Sequence, residues 1–272
     1  MKRKSILSLV LTGALAVSLI GCGGSNSSSS DDKTIRIGVS PVPHKEIVEQ
    51  AVEELEGKGY TVEIVEFDDY VLPNTSVEEG DLDANYFQHI AYLNTFNEEK
   101  GTHLTYTAEI HLEPMGVFSN KYKSVEEIED GATVAVPDDS SNETRALKVL
   151  EAAGLIELAE GDILKITDIT SNPKNLQFSE LTAASLPRVL EEVDIAVING
   201  NYALEAGLDV NGNAFYAEDK DKDALKERRN VLAVKEGTED TQKIKDLTEA
   251  LTSDKVRGFI NEKYKGAVVP VF

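Results

Sequence analysis

Apolar positions along the chain follow two different spacings. Short runs that are apolar throughout or at every second position predict strands, at residues 34–39, 61–67, 103–110, 115–118, 133–136 and 195–198. Apolar residues three and four positions apart predict helices, at residues 44–58, 87–100, 141–153, 183–191, 240–251 and 254–264. Strands that alternate with helices predict an α/β fold with largely parallel sheets and helices on both faces.

The length of the chain predicts two lobes. The chain has 272 residues, and the part that follows its N-terminal segment is long enough for two α/β lobes of ordinary size. We expect the second lobe to begin near Pro114. Lobe 1 is then predicted to comprise residues 34–113 and 236–272, and lobe 2 residues 114–235.

The N-terminus combines a charged start with an apolar run. Three basic residues at positions 2–4 precede a largely apolar segment at 6–20. That segment is too short to span a bilayer comfortably but has the length of a signal-peptide core. Residues 1–21 are therefore predicted to be a signal peptide that is removed on export.

A lipidation motif follows directly. The sequence Leu-Ile-Gly-Cys at 19–22 resembles a bacterial lipobox, in which Cys22 receives the lipid. Residues 22–33 are rich in glycine, serine, asparagine and aspartate and predict the lipidated cysteine and a flexible tether. We therefore expect a protein that a lipid anchors to the extracytoplasmic face of a cell membrane.

Acidic residues outnumber basic residues, 49 to 27, for a net charge of −22. A nucleic-acid-binding protein carries the opposite charge, so no nucleic-acid partner is expected. The acidic body is not attracted to anionic lipid either, which leaves the lipid anchor as the only expected membrane contact. Because Cys22 is the only cysteine, an internal disulfide and a cysteine-ligated metal centre are excluded.

Common enzyme motifs are absent from the sequence. It contains no G-x-S-x-G nucleophile turn, no G-x-x-x-x-G-K-[ST] phosphate loop, no G-x-G-x-x-G dinucleotide turn and no H-E-x-x-H zinc helix. We therefore expect a protein that is not an enzyme and uses no cofactor. His111 and Glu113 stand two positions apart and would share one face of a strand, so a metal-binding lipoprotein that uses them together with His89 is an alternative.

One segment has the features of an anion-binding site. In residues 137–145 a strand ends and a helix begins, and Ser140 with Glu143 has the spacing of a capping box. Arg145 falls in the first turns of this helix, where the helix dipole disfavours a cation. A guanidinium beside free helix N–H groups can bind a carboxylate. A surface arginine paired with an acidic residue is the alternative that this pattern leaves open.

Two further segments contain candidate binding residues. Asn199 follows the buried strand 195–198, at the end of the strand where open α/β sheets bind ligands, although Asn-Gly is also common in plain turns. Residues 83–89 and Tyr92 form an aromatic cluster ahead of a helix. Such a cluster lines either a pocket or the core, and both interpretations stay open.

These segments together resemble the NlpA/MetQ family of methionine-binding lipoproteins of bacterial ABC importers. The segments that carry the resemblance lie at residues 69–74, 83–89, 113–116, 135–147, 172–176, 186–188, 196–199 and 202–203. The resemblance implies a periplasmic-binding-protein fold of type II, in which two α/β lobes close on a ligand in the cleft between them. It also implies delivery of that ligand to the permease and ATPase subunits of an importer, and we expect the protein to be a monomer.

The resemblance further implies roles for individual residues. Arg145 matches an arginine that binds the ligand carboxylate, and Asn199 and Asn230 match asparagines that hold the polar end of the amino acid. Aromatic walls suit a thioether. The residues that match the side-chain pocket are Tyr70, Phe87, His89 and Tyr92. L-methionine is the expected ligand, with another methionine stereoisomer, a methionine-containing dipeptide or another amino acid as alternatives.

Overall fold

The computed structural model describes residues 33–219 and 225–272. Cys22, the predicted signal peptide and the predicted tether up to residue 32 lie outside this part of the chain. Among the described residues, no helix has both the length and the apolar character needed to cross a bilayer.

Strands and helices alternate along the chain, and the predicted α/β class is confirmed. The strands are β1 (Thr34–Val39), β2 (Thr61–Glu66), β3 (Ala84–His89), β4 (Leu104–Leu112), β5 (Gly116–Phe118), β6 (Thr133–Pro137), β7 (Glu157–Leu158), β8 (Ile169–Ser171), β9 (Gln177–Leu181), β10 (Ile195–Ile198), β11 (Tyr216–Ala217), β12 (Arg229–Lys235) and β13 (Val269–Pro270). The α-helices are α1 (Glu46–Gly57), α2 (Leu72–Glu79), α3 (Ile90–Lys100), α4 (Ser140–Ala152), α5 (Leu186–Val189), α6 (Gly200–Glu205), α7 (Gln242–Leu251) and α8 (Asp254–Tyr264).

Six strands form the first sheet, in the order β13-β4-β12-β3-β1-β2. β1 is parallel to β2 and to β3, since a helix returns the chain between each successive pair of these strands. β12 runs antiparallel to β3 and β4. Helix α1 covers this sheet with side chains three and four positions apart, which share one face of the helix. These buried residues are Ile47, Val48, Ala51 and Leu55.

Five strands form the second sheet, in the order β11-β5-β10-β6-β9. β6 is parallel to β10 and to β9, and β5 is antiparallel to β10. Helix α4 packs on this sheet through Leu147 and Leu150, which share a core with Val134 and Val197. A larger apolar cluster extends from Ile37 in the first sheet to Ile198 in the second, so the two sheets are also joined by buried apolar contacts.

The chain passes between the two sheets twice, from β4 to β5 through residues 113–115 and back from β11 to β12. The two-lobed fold is therefore confirmed. The second crossing, however, precedes β12, which lies between β3 and β4 of the first sheet. The predicted boundary at 235/236 is wrong at this point, because the apolar pattern of this strand fits either sheet and only its hydrogen-bond partners decide between them. Asn230 consequently belongs to the first lobe.

The structure also differs from the sequence-based predictions at individual helices and strands. Phe87 and His89 lie in β3, and the helix predicted from residue 87 begins only at Ile90. The helix predicted at 183–191 is a 3₁₀ turn followed by the single turn α5. Neither α2 nor β12 was predicted. Short apolar runs do not distinguish a strand from a helix by periodicity alone, which explains these errors.

The start of α4 differs from the expected capping box. The N-cap is Asp139, whose carboxylate accepts a hydrogen bond from the backbone N–H of Asn142 at 2.9 Å. Glu143 is buried, and its carboxylate instead accepts from the backbone N–H of Ile166 at 2.9 Å. An aspartate is as good a cap as a serine, and here it directly precedes the first helical residue. Asn142 and Arg145 thereby lie in the first two turns of the helix.

We expect Leu150→Ala to lower the free energy of unfolding by about 2–5 kcal/mol, because Leu150 is fully buried and its truncation leaves a cavity between α4 and the second sheet. Urea denaturation of the ligand-free protein measures this. The matched control is Leu72→Ala, at a position that is 53% exposed, and it should cost less than about 0.5 kcal/mol. Equal losses at both positions would contradict the assigned packing.

Candidate functional site

A cavity lies where the two lobes meet. The first lobe contributes Tyr70, Phe87, Gln88, His89, Tyr92 and Asn230 to its lining. The second lobe contributes Asn142, Arg145, Asn199, Gly200 and Asn201, and Glu113 lines the cavity from the first crossing between the lobes. The structure thus brings together all seven residues that the sequence predicted to bind a ligand. Their individual roles stay predictions.

Aromatic rings form one wall of the cavity. The ring of Tyr70 lies between Phe87, at a centroid distance of 5.6 Å, and Tyr202, on which it stacks at 4.9 Å. Tyr92 meets Tyr70 edge-on at 5.5 Å and donates a hydrogen bond to the Tyr70 carbonyl oxygen at 3.0 Å. The cluster between residues 83 and 92 therefore serves both core and pocket. This wall suits an apolar, polarisable side chain.

Arg145 provides the positive charge of the cavity. It is buried, and its guanidinium forms a two-point ion pair with Glu218, from Nε to Oε1 at 2.8 Å and from Nη2 to Oε2 at 2.5 Å. Nη2 also donates to the backbone carbonyl oxygen of Glu113 at 2.7 Å. Burial alone would raise the pKa of Glu218, but the guanidinium holds it below its usual value. Arg145 is therefore paired with an acid, as the alternative supposed, but the pair is buried and not on the surface.

A chain of amide hydrogen bonds leads from the start of α4 to Asn199. Asn142 Nδ2 donates to the Asp139 carboxylate at 3.0 Å, which turns Asn142 Oδ1 toward the cavity. That oxygen accepts from Asn199 Nδ2 at 2.7 Å and from His89 Nε2 at 3.2 Å. The other ring nitrogen of His89 accepts from the backbone N–H of Tyr92 at 3.0 Å. The hydrogen-bond partners thus determine the orientation of each of these polar side chains.

Two buried polar atoms of the cavity have no partner among the described residues. They are Asn199 Oδ1 and Asn201 Nδ2. The other polar atom of the Asn201 side chain, Oδ1, does have a partner, because it accepts a hydrogen bond from the Tyr70 hydroxyl at 2.5 Å. A buried amide atom without a hydrogen bond costs about 1–3 kcal/mol, so one acceptor and one donor are available here for a polar ligand.

Behind the cavity lies a buried network of His44, His111 and Glu113. His111 Nε2 donates to Glu113 Oε1 at 2.6 Å, and the Tyr86 hydroxyl donates to His111 Nδ1. His44 Nε2 lies 3.0 Å from Asn230 Oδ1 and 3.5 Å from Glu113 Oε1. Two oxygen acceptors at one ring nitrogen place the proton on it, so His44 donates to Asn230.

Burial keeps the imidazoles of this region neutral. It lowers the pKa of His44 to about 4 and that of His111 to about 3. Burial and the nearby Arg145 guanidinium hold the pKa of His89 well below its usual value. Burial also raises the pKa of Glu113, an effect that His44 and Arg145 partly oppose.

The three residues His44, His111 and Glu113 are also the group among the described residues whose ligand atoms could surround a metal ion. His89, which the metal alternative used, is engaged with Asn142 and Tyr92 instead. The 2.6 Å separation of His111 Nε2 and Glu113 Oε1 is a hydrogen-bond distance. Two ligands of a tetrahedral zinc ion stand about 3.3 Å apart. The geometry therefore favours a hydrogen-bond network over a metal site.

Hydrogen bonds across the cleft hold the lobes together. Besides His89 with Asn142 and Tyr70 with Asn201, the Tyr202 hydroxyl donates to the Asp68 carbonyl oxygen at 3.0 Å. Ser140 Oγ donates to Glu99 Oε1 at 2.7 Å at the rim. The structure therefore has the closed arrangement of the two lobes.

Several cavity residues were not predicted as ligand contacts. Glu113 and Asn142 stand inside the segments that carry the family resemblance, and Asn201 lies between two of them, so position was a usable signal. His44 and Glu218 do not line the cavity but bond to Asn230 and Arg145, which do. They stand outside those segments, and neither carries a local pattern that distinguishes it from the other histidines and surface acids. Their importance arises only from the groups that the fold places beside them.

Two α/β lobes that close over a polar and aromatic cavity define the chain as a two-lobed substrate-binding protein. The sequence model of the NlpA lipoprotein family matches residues 35–272, so the chain belongs to that family.

Named relatives and a solved structure agree with this membership. The chain is 39% identical to the membrane lipoprotein TpN32 of Treponema pallidum, over 99% of this chain and 98% of the relative. It is 37% identical to the methionine-binding lipoprotein MetQ of Bacillus subtilis, over 97% and 96%. A nutrient-binding protein from Burkholderia cenocepacia, solved bound to methionine, superposes with a TM-score of 0.82 at 40% identity, over 88% of this chain and all of that one.

The buried histidines predict that the ligand-free protein loses stability in mild acid. The pKa of His44 in the folded state, about 4, lies below its unfolded value of 6.5. The contribution of neutral His44 to the free energy of unfolding is therefore complete above pH 6.5 and is lost as the pH falls toward 4. The expected loss between pH 7 and pH 5 is about 2 kcal/mol.

Urea denaturation at pH 7 and pH 5 measures this loss. We expect His44→Gln to show a smaller loss than the parent. The matched control His103→Gln, at an exposed position, should lose as much as the parent. An unchanged loss in His44→Gln would show that His44 is not buried in the neutral form.

Proposed function

We propose that this chain is the lipid-anchored solute-binding protein of an ABC importer, which binds methionine in the cavity between its lobes. It then delivers the ligand to the permease and ATPase subunits. The observation that carries the proposal is the convergence, in one cavity, of a buried guanidinium, amide atoms without a partner among the described residues, and an aromatic wall. Together they match an amino acid with an apolar side chain.

Methionine is favoured within this class by two independent lines of support. A thioether gains sulfur–aromatic contacts on a wall such as that of Tyr70, Phe87 and Tyr92. The relatives include proteins whose names state that they bind methionine, and one solved structure contains it. We take L-methionine as the ligand, with another methionine stereoisomer or a methionine-containing dipeptide as outcomes of the binding test.

The role is one of capture and release, without catalysis. The predicted carboxylate contact of Arg145 and the amide contacts of Asn199 and Asn230 require only hydrogen bonds and charge. Residues 33–272 form one compact unit by themselves, which suits a monomer that presents its ligand to a membrane partner.

The anchor is part of the same proposal. The signal peptide at 1–21, the lipid on Cys22 and the tether would place the two lobes on the extracytoplasmic face of the cell membrane. The family name, NlpA lipoprotein, supports this assignment.

Removing the Arg145 guanidinium should abolish tight binding. Arg145→Ala by itself would leave Glu218 as an uncompensated buried charge and destabilise the fold. We therefore compare the double variant Arg145→Ala/Glu218→Gln with Glu218→Gln. We expect the affinity for L-methionine to fall by about thirty-fold to several thousand-fold, the loss typical when one partner of a buried charge pair is removed.

Calorimetry with L-methionine on protein stripped of ligand measures this difference. Urea denaturation of both variants is the control for folding. Equal affinities in the two variants would remove Arg145 from the binding site. Failure of the parent to bind methionine in any stereoisomer or dipeptide form would overturn the proposed function.

Cys22→Ala should abolish lipidation and move the protein from the membrane to the soluble fraction, because the acidic body has no electrostatic attraction to anionic lipid. Detergent-phase partition of cell extracts measures this. Ligand binding by the released protein should be unchanged, which separates anchoring from folding. Continued membrane retention of the variant would disprove the proposed anchor.

A further inference from the structure

We propose that Glu113 and Asn199 together bind the α-ammonium group of the ligand, while Arg145 and Asn230 bind its carboxylate. This inference rests on the proposed function, because it assigns the two charged groups of an amino acid to opposite sides of the same cavity. It makes Glu113, which lies in the first crossing between the lobes, a specificity-determining residue.

The orientation of Asn199 leaves only an acceptor for the ligand. Asp139 has no proton to donate when ionised, so Asn142 must direct its Nδ2 atom to Asp139 and its Oδ1 atom to Asn199. Asn199 in turn uses Nδ2 for this bond, at 2.7 Å. Its Oδ1 atom is buried, lines the cavity and has no partner among the described residues. An acceptor in this position suits an ammonium N–H.

The orientation of Asn230 is the opposite. Its Oδ1 atom accepts from His44 Nε2 at 3.0 Å, so its Nδ2 atom is the group that can donate to a ligand. Asn230 lies on β12, opposite His89 of β3. The two asparagines that sequence analysis treated alike therefore differ in role, one as an acceptor and the other as a donor.

Glu113 places its backbone carbonyl against the Arg145 guanidinium, and its carboxyl is near enough for that charge to lower its pKa. Arg145 Nη2 donates to the backbone carbonyl of Glu113 at 2.7 Å, so the cationic group and the residue that carries the anionic group are in direct contact. An α-amino acid likewise carries its anion and its cation on neighbouring atoms. Neighbouring groups of opposite charge in the cavity match that arrangement with the signs reversed.

The Glu113 carboxylate has no permanent cation among its described ion-pair partners, because the nearby Arg145 guanidinium is paired with Glu218. Among the described residues its side-chain ion-pair partners are His44 and His111, and burial keeps both neutral. The backbone N–H of Asn201 is a further donor to it. Gly200 allows this close packing, since a Cβ atom there would stand 2.7 Å from Glu113 Cβ. A ligand ammonium would supply the missing positive charge.

The test compares L-methionine with 4-(methylsulfanyl)butanoic acid, which keeps the carboxylate and the thioether but lacks the amino group. We expect Glu113→Gln to weaken methionine binding by about 10- to 100-fold, the range for a lost hydrogen bond to a charged group. Binding of the analogue should change by less than about threefold. The matched control is Glu143→Gln, a buried carboxyl that accepts from Ile166 and does not line the cavity, and it should leave both affinities unchanged.

The outcomes separate the inference from the proposed function. If the parent binds neither compound, the proposed function fails. If the parent binds methionine and Glu113→Gln binds it equally well, or loses both compounds to the same degree, the ammonium assignment is wrong. If Glu113→Gln does not fold, a crystal structure of the parent with methionine decides. An amino nitrogen within about 3.2 Å of Glu113 and of Asn199 Oδ1 supports the assignment, and a greater distance from Glu113 overturns it.

Discussion

A buried guanidinium must be neutralised where it lies, because water cannot reach it. Only 4% of the Arg145 side chain is exposed, and it meets this requirement through Glu218 and the backbone of Glu113. Glu113 stands in the first crossing between the lobes, and Glu218 directly follows β11, where the chain starts its return to the first lobe. One side chain of α4 is therefore bonded to both places where the lobes are connected. An anion that binds Arg145 acts on the connection between the lobes as well as on the cavity.

The remaining polar groups of the cavity are oriented before any ligand arrives. Asp139 determines the orientation of Asn142, and Asn142 that of Asn199, while His44 determines the orientation of Asn230. Each step is a hydrogen bond between buried side chains, where an unpaired group is costly. Such preorganisation lowers the entropic cost of binding, because these side chains are already ordered when the ligand arrives. It also explains why neutral histidines line and support a cavity that handles charged groups.

The aromatic wall and the contacts between the lobes share the same residues. Tyr70 packs on Phe87 in its own lobe and, through its ring and hydroxyl, contacts Tyr202 and Asn201 in the other. His89 similarly contacts both Tyr92 and Asn142. A ligand that fills the space between these residues contacts both lobes at once, so it binds the closed arrangement more tightly than an open one. Recognition of the side chain and closure of the lobes thus have a common structural basis.

Local pattern in the sequence determined the α/β class, six of the thirteen described strands, and the position of Arg145 at a helix start and of Asn199 at a strand end. Resemblance added Tyr70, Phe87, His89, Tyr92 and Asn230, all of which line the cavity. The sheet that takes β12, the N-cap at Asp139 and the pairing of Arg145 with Glu218, 73 positions away, were decided only by the tertiary structure. Hydrophobic periodicity indicates which face of a helix or strand is apolar. Hydrogen bonds and ion pairs join specific groups that are far apart in the sequence, and periodicity does not predict those pairings. For that reason the free acceptor on Asn199 and the carboxylate of Glu113 became recognisable only once the fold had fixed the hydrogen-bond partners of Asn142, His44 and Arg145.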